Sequence, residues 1–133
     1  ANWDRIRKHV YIRANSICEC CHVNTKDNRT QLEAHERWHY DDATQVQSLK
    51  RIVALCRDCH EVTHIGRAQA NGRGDEALKH LQQIRDFTDN GLQEHYDEAF
   101  ALFIKRSKHP WTLDISLITN NGIPLIQRDI NDE

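Results

Sequence analysis

Methionine is absent from all 133 residues, so the chain as written carries no initiator. Ala1 fits either removal of a leading Met or excision from a larger protein. Also missing are any long apolar run and the basic, apolar and small-residue order of a secretory leader. No membrane contact is therefore expected, and a soluble cytoplasmic protein is the simplest reading. No low-complexity tract and no internal repeat occurs. A basic surplus is lacking too: 18 Lys and Arg stand against 20 Asp and Glu, for a formal net charge of -2. Domains that grip nucleic acid through bulk charge show a basic face or stripe, so any such contact here must come from local clusters. What remains is an ordinary globular balance, 38% hydrophobic and 29% charged, in a length that suits one domain or a small core with an appendage.

Charge is unevenly placed. Arg5, Arg7, Lys8 and Arg13 fall together without an acid between them, and Lys105, Arg106 and Lys108 form a second cluster. Each cluster is either a solvated helix face or a set of phosphate contacts. Between Glu19 and Asp42 the balance reverses: Glu19, Asp27, Glu33, Glu36, Asp41 and Asp42 outnumber Lys26, Arg29 and Arg37. Acids among histidines suit a cation better than a phosphate.

The elements follow from periodicity. Asn2 suits the cap of a helix whose apolar residues Trp3, Ile6, Val10 and Ala14 keep helical spacing, with Asn15 at its end. Thr30 to Tyr40 and Leu49 to Leu55 read as strands of a hairpin, joined through Asp41, Asp42 and Gln45 to Ser48. Arg57 to His64 reads as a short helix stopped by Gly66, and Arg67 to Gly74 as a loop or hinge. Asp75 is expected to cap a helix carrying Leu78, Leu81, Ile84 and Thr88, ended by Asp89-Asn90-Gly91. A further helix runs through Leu92, Tyr96, Ala99, Phe100 and Phe103 to Ser107. Beyond His109-Pro110, alternation of Trp111, Leu113, Ile115 and Leu117 before Asn120-Asn121-Gly122 predicts a C-terminal hairpin, whose return strand Pro124 places at a sheet edge.

Two C-x-x-C pairs, Cys18 with Cys21 and Cys56 with Cys59, flank the expected hairpin. A hairpin returns the chain to its origin, which gathers four thiolates into the tetrahedral set that structural Zn²⁺ prefers. Two disulfides or ordinary buried thiols are the alternatives, but a cytosolic chain keeps its thiols reduced, and chance rarely sets two such pairs around a hairpin. Cys20 competes with Cys21, yet the two-residue gap makes Cys18 with Cys21 the better chelate. The apparent affinity of such sites, about 10–16 kcal/mol, matches the whole stability of a domain, so the N-terminal half is expected to require the metal.

Three histidines add chemistry. His60 follows Cys59 directly and His64 lies four residues on, so a helix sets both imidazoles on one face, able to chelate one cation. His35 sits on the first strand, in Leu32-Glu33-Ala34-His35-Glu36-Arg37-Trp38. Its strand neighbours bear on its role: a regular strand sends residues 35 and 36 to opposite faces, and His39 shares the face of His35.

Together these residues resemble the HNH family of ββα-metal nucleases. The likeness runs from Cys18 to His64, and it is closest at Leu55-Cys56-Arg57-Asp58-Cys59-His60, where zinc-stapled members carry C-x-x-C-H. The resemblance implies a zinc-bound ββα unit, and with the elements read from periodicity the expected fold is α+β: that unit with its N-terminal helix over 1–66, then two helices and a C-terminal β-hairpin over 67–133 that pack on or beside it. It also implies metal-dependent hydrolysis of DNA, with His35, Glu36 and His60 catalytic and His35, His60 and His64 around a divalent cation such as Mg²⁺, Mn²⁺ or Ni²⁺. Two alignments stay open. His35 as metal ligand puts Glu36 at the family's general-base position; His35 as base puts Ala34 at the ligand position. Glutamate, with an ordinary pKa of about 4.3, is the weaker base and needs partial burial to serve. Arg51 stands where the family has an asparagine, and with Lys105, Arg106 and Lys108 it is a candidate phosphate contact. Cutting both strands of a duplex with one site per chain favours a homodimer. The alternative reading is a module that has lost catalysis and binds nucleic acid or a protein partner.

Overall fold

A computed structural model describes residues 2–28 and 30–120. Among them the fold is α+β, with a three-stranded sheet in the order β1-β2-β3 and six helices. The elements are α1 (Asn2–Ala14), β1 (Leu32–Asp41), β2 (Val46–Cys56), α2 (Arg57–Thr63), α3 (Ile65–Ala70), α4 (Gly74–Arg85), α5 (Asp89–Ser107), β3 (Thr112–Asp114) and α6 (Ser116–Thr119). No helix among the described residues is long and apolar enough to cross a membrane.

β1 and β2 form the expected antiparallel hairpin. Ile52 through Cys56 are buried without a break, because both faces of β2 are covered. One face packs on α1, where Ile6 and Val10 meet Leu49, Ile52, Ala54 and Ile118. The other gathers Val53 and Leu55 with Cys18, Cys56 and Cys59, and Ile84 of α4 closes over it. Leu49 and Ile52 are three residues apart, so regular alternation would send them to opposite faces. The register shifts between Arg37 and Trp38: β1 runs on while β2 spends one extra residue, the exposed Lys50. That bulge turns Leu49 back to the α1 side.

The loop before β1 is fastened by Glu19. Its backbone N–H donates to the Ala54 carbonyl (2.9 Å) and its Oε1 accepts from the Ala54 N–H at 2.8 Å. Arg13 and Arg51 hold the same carboxylate, at 2.5 and 2.7 Å. Burial acts to raise the Glu19 pKa, but the Ala54 N–H and the two guanidinium groups outweigh it and hold the carboxyl below its ordinary value. A depressed carboxylate stabilises the fold above its unfolded pKa, about 4.3, and that contribution fades as pH falls through the lower folded value. Glu19→Ala strands the N–H of a fully buried residue and is expected to cost about 2–3 kcal/mol. Urea unfolding at pH 7 measures the loss, which should shrink towards pH 3; a loss independent of pH would assign it to packing.

Four expectations are corrected. The 67–74 stretch is a turn only at residues 71–73, where Gly72 takes a positive φ: α3 runs through Gly66 to Ala70, and α2 stops at Thr63, leaving His64 as the joint. Gly74 is a packing residue rather than a hinge, since a Cβ there would lie 2.7 Å from Gln69 Cγ. Asp75 does not cap α4; the cap position is Arg73, which makes no side-chain cap bond, and Asp75 lies in the first turn, where an acid suits the helix dipole. Asp89 does not end α4, which closes at Asp86 in the left-handed conformation, and Thr88 caps α5 by accepting from the Gly91 N–H at 3.0 Å. Finally, Trp111 to Leu117 is not one strand. β3 is three residues long and pairs parallel with the start of β2, and the Asp114 side chain accepts from the Ser116 N–H at 2.9 Å, starting the turn of α6 that buries Ile118. The rest of the expected hairpin, with Gly122 and Pro124, lies outside the described residues.

Candidate metal centre

The hairpin brings the two C-x-x-C pairs together. The thiols of Cys18, Cys21, Cys56 and Cys59 all lie within 4.8 Å of one another. Cys21 and Cys56 have their sulfurs 3.7 Å apart. A disulfide requires about 2.05 Å, whereas tetrahedral ligands with Zn–S bonds of about 2.3 Å sit about 3.8 Å apart. All five cysteines are free, and Cys20 is exposed and outside the cluster. The four-cysteine cluster is therefore compatible with a structural metal ion such as zinc.

The surroundings fit such an ion. The loop closes through an isolated bridge between Ile17 and Asn24, and the N–H groups of Cys20 and Cys21 point at Cys18 Sγ from 3.4 and 3.5 Å. Burial raises the Cys18 thiol, but backbone hydrogen bonds from Cys56, Cys21 and Cys20 outweigh it and bring it down to about 7. Burial pushes the Cys56 thiol up to about 11, and Cys59 is pushed up by burial and then by the charges of Cys18 and Cys56. Four crowded thiolates repel one another, and a dication at their centre reverses that penalty. His80 of α4, not foreseen from the sequence, reaches to 3.3 Å between its Nε2 and Cys59 Sγ. The contact ties α4 to the cluster, and an imidazole N–H there would support a thiolate that holds a metal.

A second group lies beside the first. Ring nitrogens of His35, His60 and His64 also fall within 4.8 Å of one another. The His60 and His64 Nε2 atoms are 3.1 Å apart, and His35 stands edge-on to both, with centroids at 5.2 and 5.0 Å. Cys59 and His60 diverge as helix geometry requires, about 100° per residue: the thiol faces the cluster and the imidazole faces His35. Nδ1 of His35 is buried and has no hydrogen-bond partner among the described residues. Burial, then the neighbouring His64, His60 and Arg37, lowers the His35 pKa to about 4; burial and His60 also lower His64. Both are neutral at pH 7, the form that ligates metals. Glu33 bonds Nδ1 of His60, which leaves Nε2 facing its two neighbours. A carboxylate behind a ligating histidine is the usual support of a metal site.

The structure separates the remaining candidates. Glu36 pairs with Ile52 in regular register, and the bulge comes after it, so it lies on the opposite face of β1 from His35. β1 is an edge strand, however, and one open cleft of about 1190 Å³ wraps that edge and is lined by both residues, with His60, His64, Arg57 and Arg67. The Glu36 charge is felt at His64. His39 is exposed and outside the triad. Arg51 is held by Glu19. Arg106 is committed to Asp42 through two bonds of 3.1 Å and lies over the Tyr40 ring; Lys105 and Lys108 are exposed on the end of α5. Comparison with protein-family models, with curated proteins and with solved structures finds no match.

Proposed function

We propose that the chain is a metal-dependent endonuclease of the HNH type that hydrolyses phosphodiester bonds in DNA, built on a four-cysteine structural zinc. The observation that carries this reading is the histidine triad: three imidazoles, two of them held neutral, converge beside the cysteine cluster with a carboxylate behind His60 and an open cleft in front.

The donor set fits a divalent cation held by His35, His60 and His64. Bound there, Mg²⁺, Mn²⁺ or Ni²⁺ would neutralise charge on the phosphodiester and on the leaving oxygen. Glu33 fixes the tautomer of His60. Burial, with the neighbouring imidazoles, brings the His35 pKa down to about 4, which suits a ligand better than a proton acceptor, since protonation would leave a buried cation among imidazoles. The base role then falls to Glu36, which reaches the cleft around the edge of β1. Arg57 and Arg67 line the same cleft and make no carboxylate bond among the described residues, so they are free to meet phosphate.

The test is relaxation of supercoiled plasmid by the zinc-loaded protein with each cation added in turn. Glu36→Gln is expected to slow nicking by about 10²–10⁴-fold, the usual share of a general base, with cation affinity unchanged; full activity would return the base role to His35. Because the His35 pKa is lowered to about 4, that imidazole stays available to a cation at pH 6 and is lost to protons as pH approaches 4, and Ni²⁺ binding should fall over that range. Calorimetric titration across that range checks it.

A second reading rests on Arg51. The position at which the family has an asparagine is occupied by a guanidinium engaged with Glu19, which favours a module that binds DNA without cutting it. Binding without cleavage under every cation would select this reading.

A further inference from the structure

The cleft beside the histidine triad has a second half that the proposed chemistry leaves unused. Past Glu36 it continues around the edge of β1 onto the α1 face, and its lining there is aromatic: Trp3 and Tyr11 from α1, Trp38 and Tyr40 from β1. The chain holds three Trp and three Tyr, so four of these six rings meet in one cleft. Two periodicities place them. Trp3, Arg7 and Tyr11 recur every four residues and form one stripe of α1, beside the core stripe of Ile6 and Val10. Glu36, Trp38 and Tyr40 alternate along the face of β1 that carries Ala34 onto the α1 cluster.

These rings are not spent on the core. All four are half-buried; Trp3, Tyr11 and Trp38 rest on the α1 cluster and also line the cleft. A buried indole N–H or phenol O–H usually finds a partner. Those of Trp3, Trp38 and Tyr11 have none among the described residues. Tyr40 differs, with Arg106 over its ring. The charges say what such a surface takes. Arg7, in the middle of the stripe, is paired with Asp4 at 2.5 Å, and Glu36 adds a negative charge, whereas Arg57 and Arg67 stand on α2 and α3 at the triad end. A duplex offers a protein its phosphates and groove edges and hides the faces of its bases. Aromatic rings with little positive charge beside them suit the opposite case, a strand whose bases are unstacked and lie on the rings. We infer that the α1 half of the cleft is a stacking platform for unpaired bases, with Trp3 and Trp38 as its principal rings, and that the substrate class is single-stranded or locally unpaired DNA. This substrate class rests on the reading of the triad as a DNA-cleaving centre, in which Arg57 and Arg67 meet phosphate near the cation and the bases to one side lie on the indoles.

Binding of a labelled oligonucleotide to the full zinc-loaded chain, with no further cation so that no strand is cut, tests this. A single strand is expected to bind at least about 10-fold more tightly than the same sequence as a duplex, and to quench tryptophan emission. An abasic strand of equal length, which keeps the phosphates and removes the stacking partners, should lose that advantage. Trp3→Leu and Trp38→Leu keep an apolar side chain on the α1 cluster; each should weaken single-strand binding about 10-fold and leave duplex binding unchanged. Equal affinity for strand and duplex, affinity for neither, or an abasic strand bound as well as the intact one would overturn the inference, and none of these outcomes depends on a variant that folds. Leucine variants that bind the single strand as the wild type does would overturn it too. Cleavage is a separate readout. With Mn²⁺ added, negatively supercoiled plasmid, which exposes unpaired stretches, should be nicked faster than the relaxed circle. Equal nicking of both would overturn the stacking platform and leave the nuclease reading intact; single-strand preference without cleavage under any cation would do the reverse.

Discussion

Cys59→Ser is expected to abolish zinc binding and to unfold the hairpin, α2 and the loop before β1 together. Cys18, Cys56 and Cys59 are not appended to a core. They are its centre on that face, with Val53, Leu55 and Ile84 packed around them. Few large side chains are buried there, and a structural zinc contributes about 10–16 kcal/mol of apparent affinity against a net domain stability of about 5–15 kcal/mol. Removing one thiolate therefore takes away as much as the whole fold holds in reserve. The same outcome is expected on stripping the metal with a chelator. Cys20→Ser is the control: its thiol is exposed and outside the cluster, and the variant should bind zinc and melt as the wild type does. Circular dichroism with metal analysis reads all three. A metal-free protein that melts unchanged would show that the cysteines are ordinary buried thiols.

His60→Ala is expected to eliminate cation-dependent nicking while leaving the structural zinc in place. The two roles separate because Cys59 and His60, adjacent in sequence, project to different sides of α2. On the proposed reading, loss of His60 removes a cation ligand and frees Glu33, which no longer has an imidazole to orient. Glu33→Gln keeps the ligand but weakens its support, and an outer partner of this kind is worth about 10–100-fold in metal affinity or activity. Excess cation should therefore restore Glu33→Gln and should not restore His60→Ala. Titration of nicking rate against Mn²⁺ distinguishes them. Equal loss in both variants would place Glu33 in the chemistry itself.

The parts legible in the sequence were those set by short-range spacing. The C-x-x-C pairs, α1 with its apolar period and the helical spacing of His60 and His64 all depend on residues a few positions apart. The misses have a common physical origin in contacts between distant segments. Glu33 shares a strand face with His35, but its partner His60 lies 27 residues on and is brought to it only by the fold. Glu19 and His80 could not be read, because the Ala54 N–H and the Cys59 sulfur that they meet lie 35 and 21 residues away. Gly66 hid α3, since glycine in a helix is disfavoured by local propensity, and packing against α4 offsets it. β3 was expected to pair with a segment after it; it pairs instead with β2, a choice that burial of Ile118 makes and alternation alone does not encode.

The proposal of two cation sites of different kind, a fixed zinc among thiolates and an exchangeable ion among histidines, is tested most directly by counting metals. Native mass spectrometry of the protein as purified should give one zinc per chain, and addition of Ni²⁺ should add one further equivalent that His60→Ala does not take up. A chain with no zinc and with paired cysteines, or one that binds no second ion, would contradict the reading of the site.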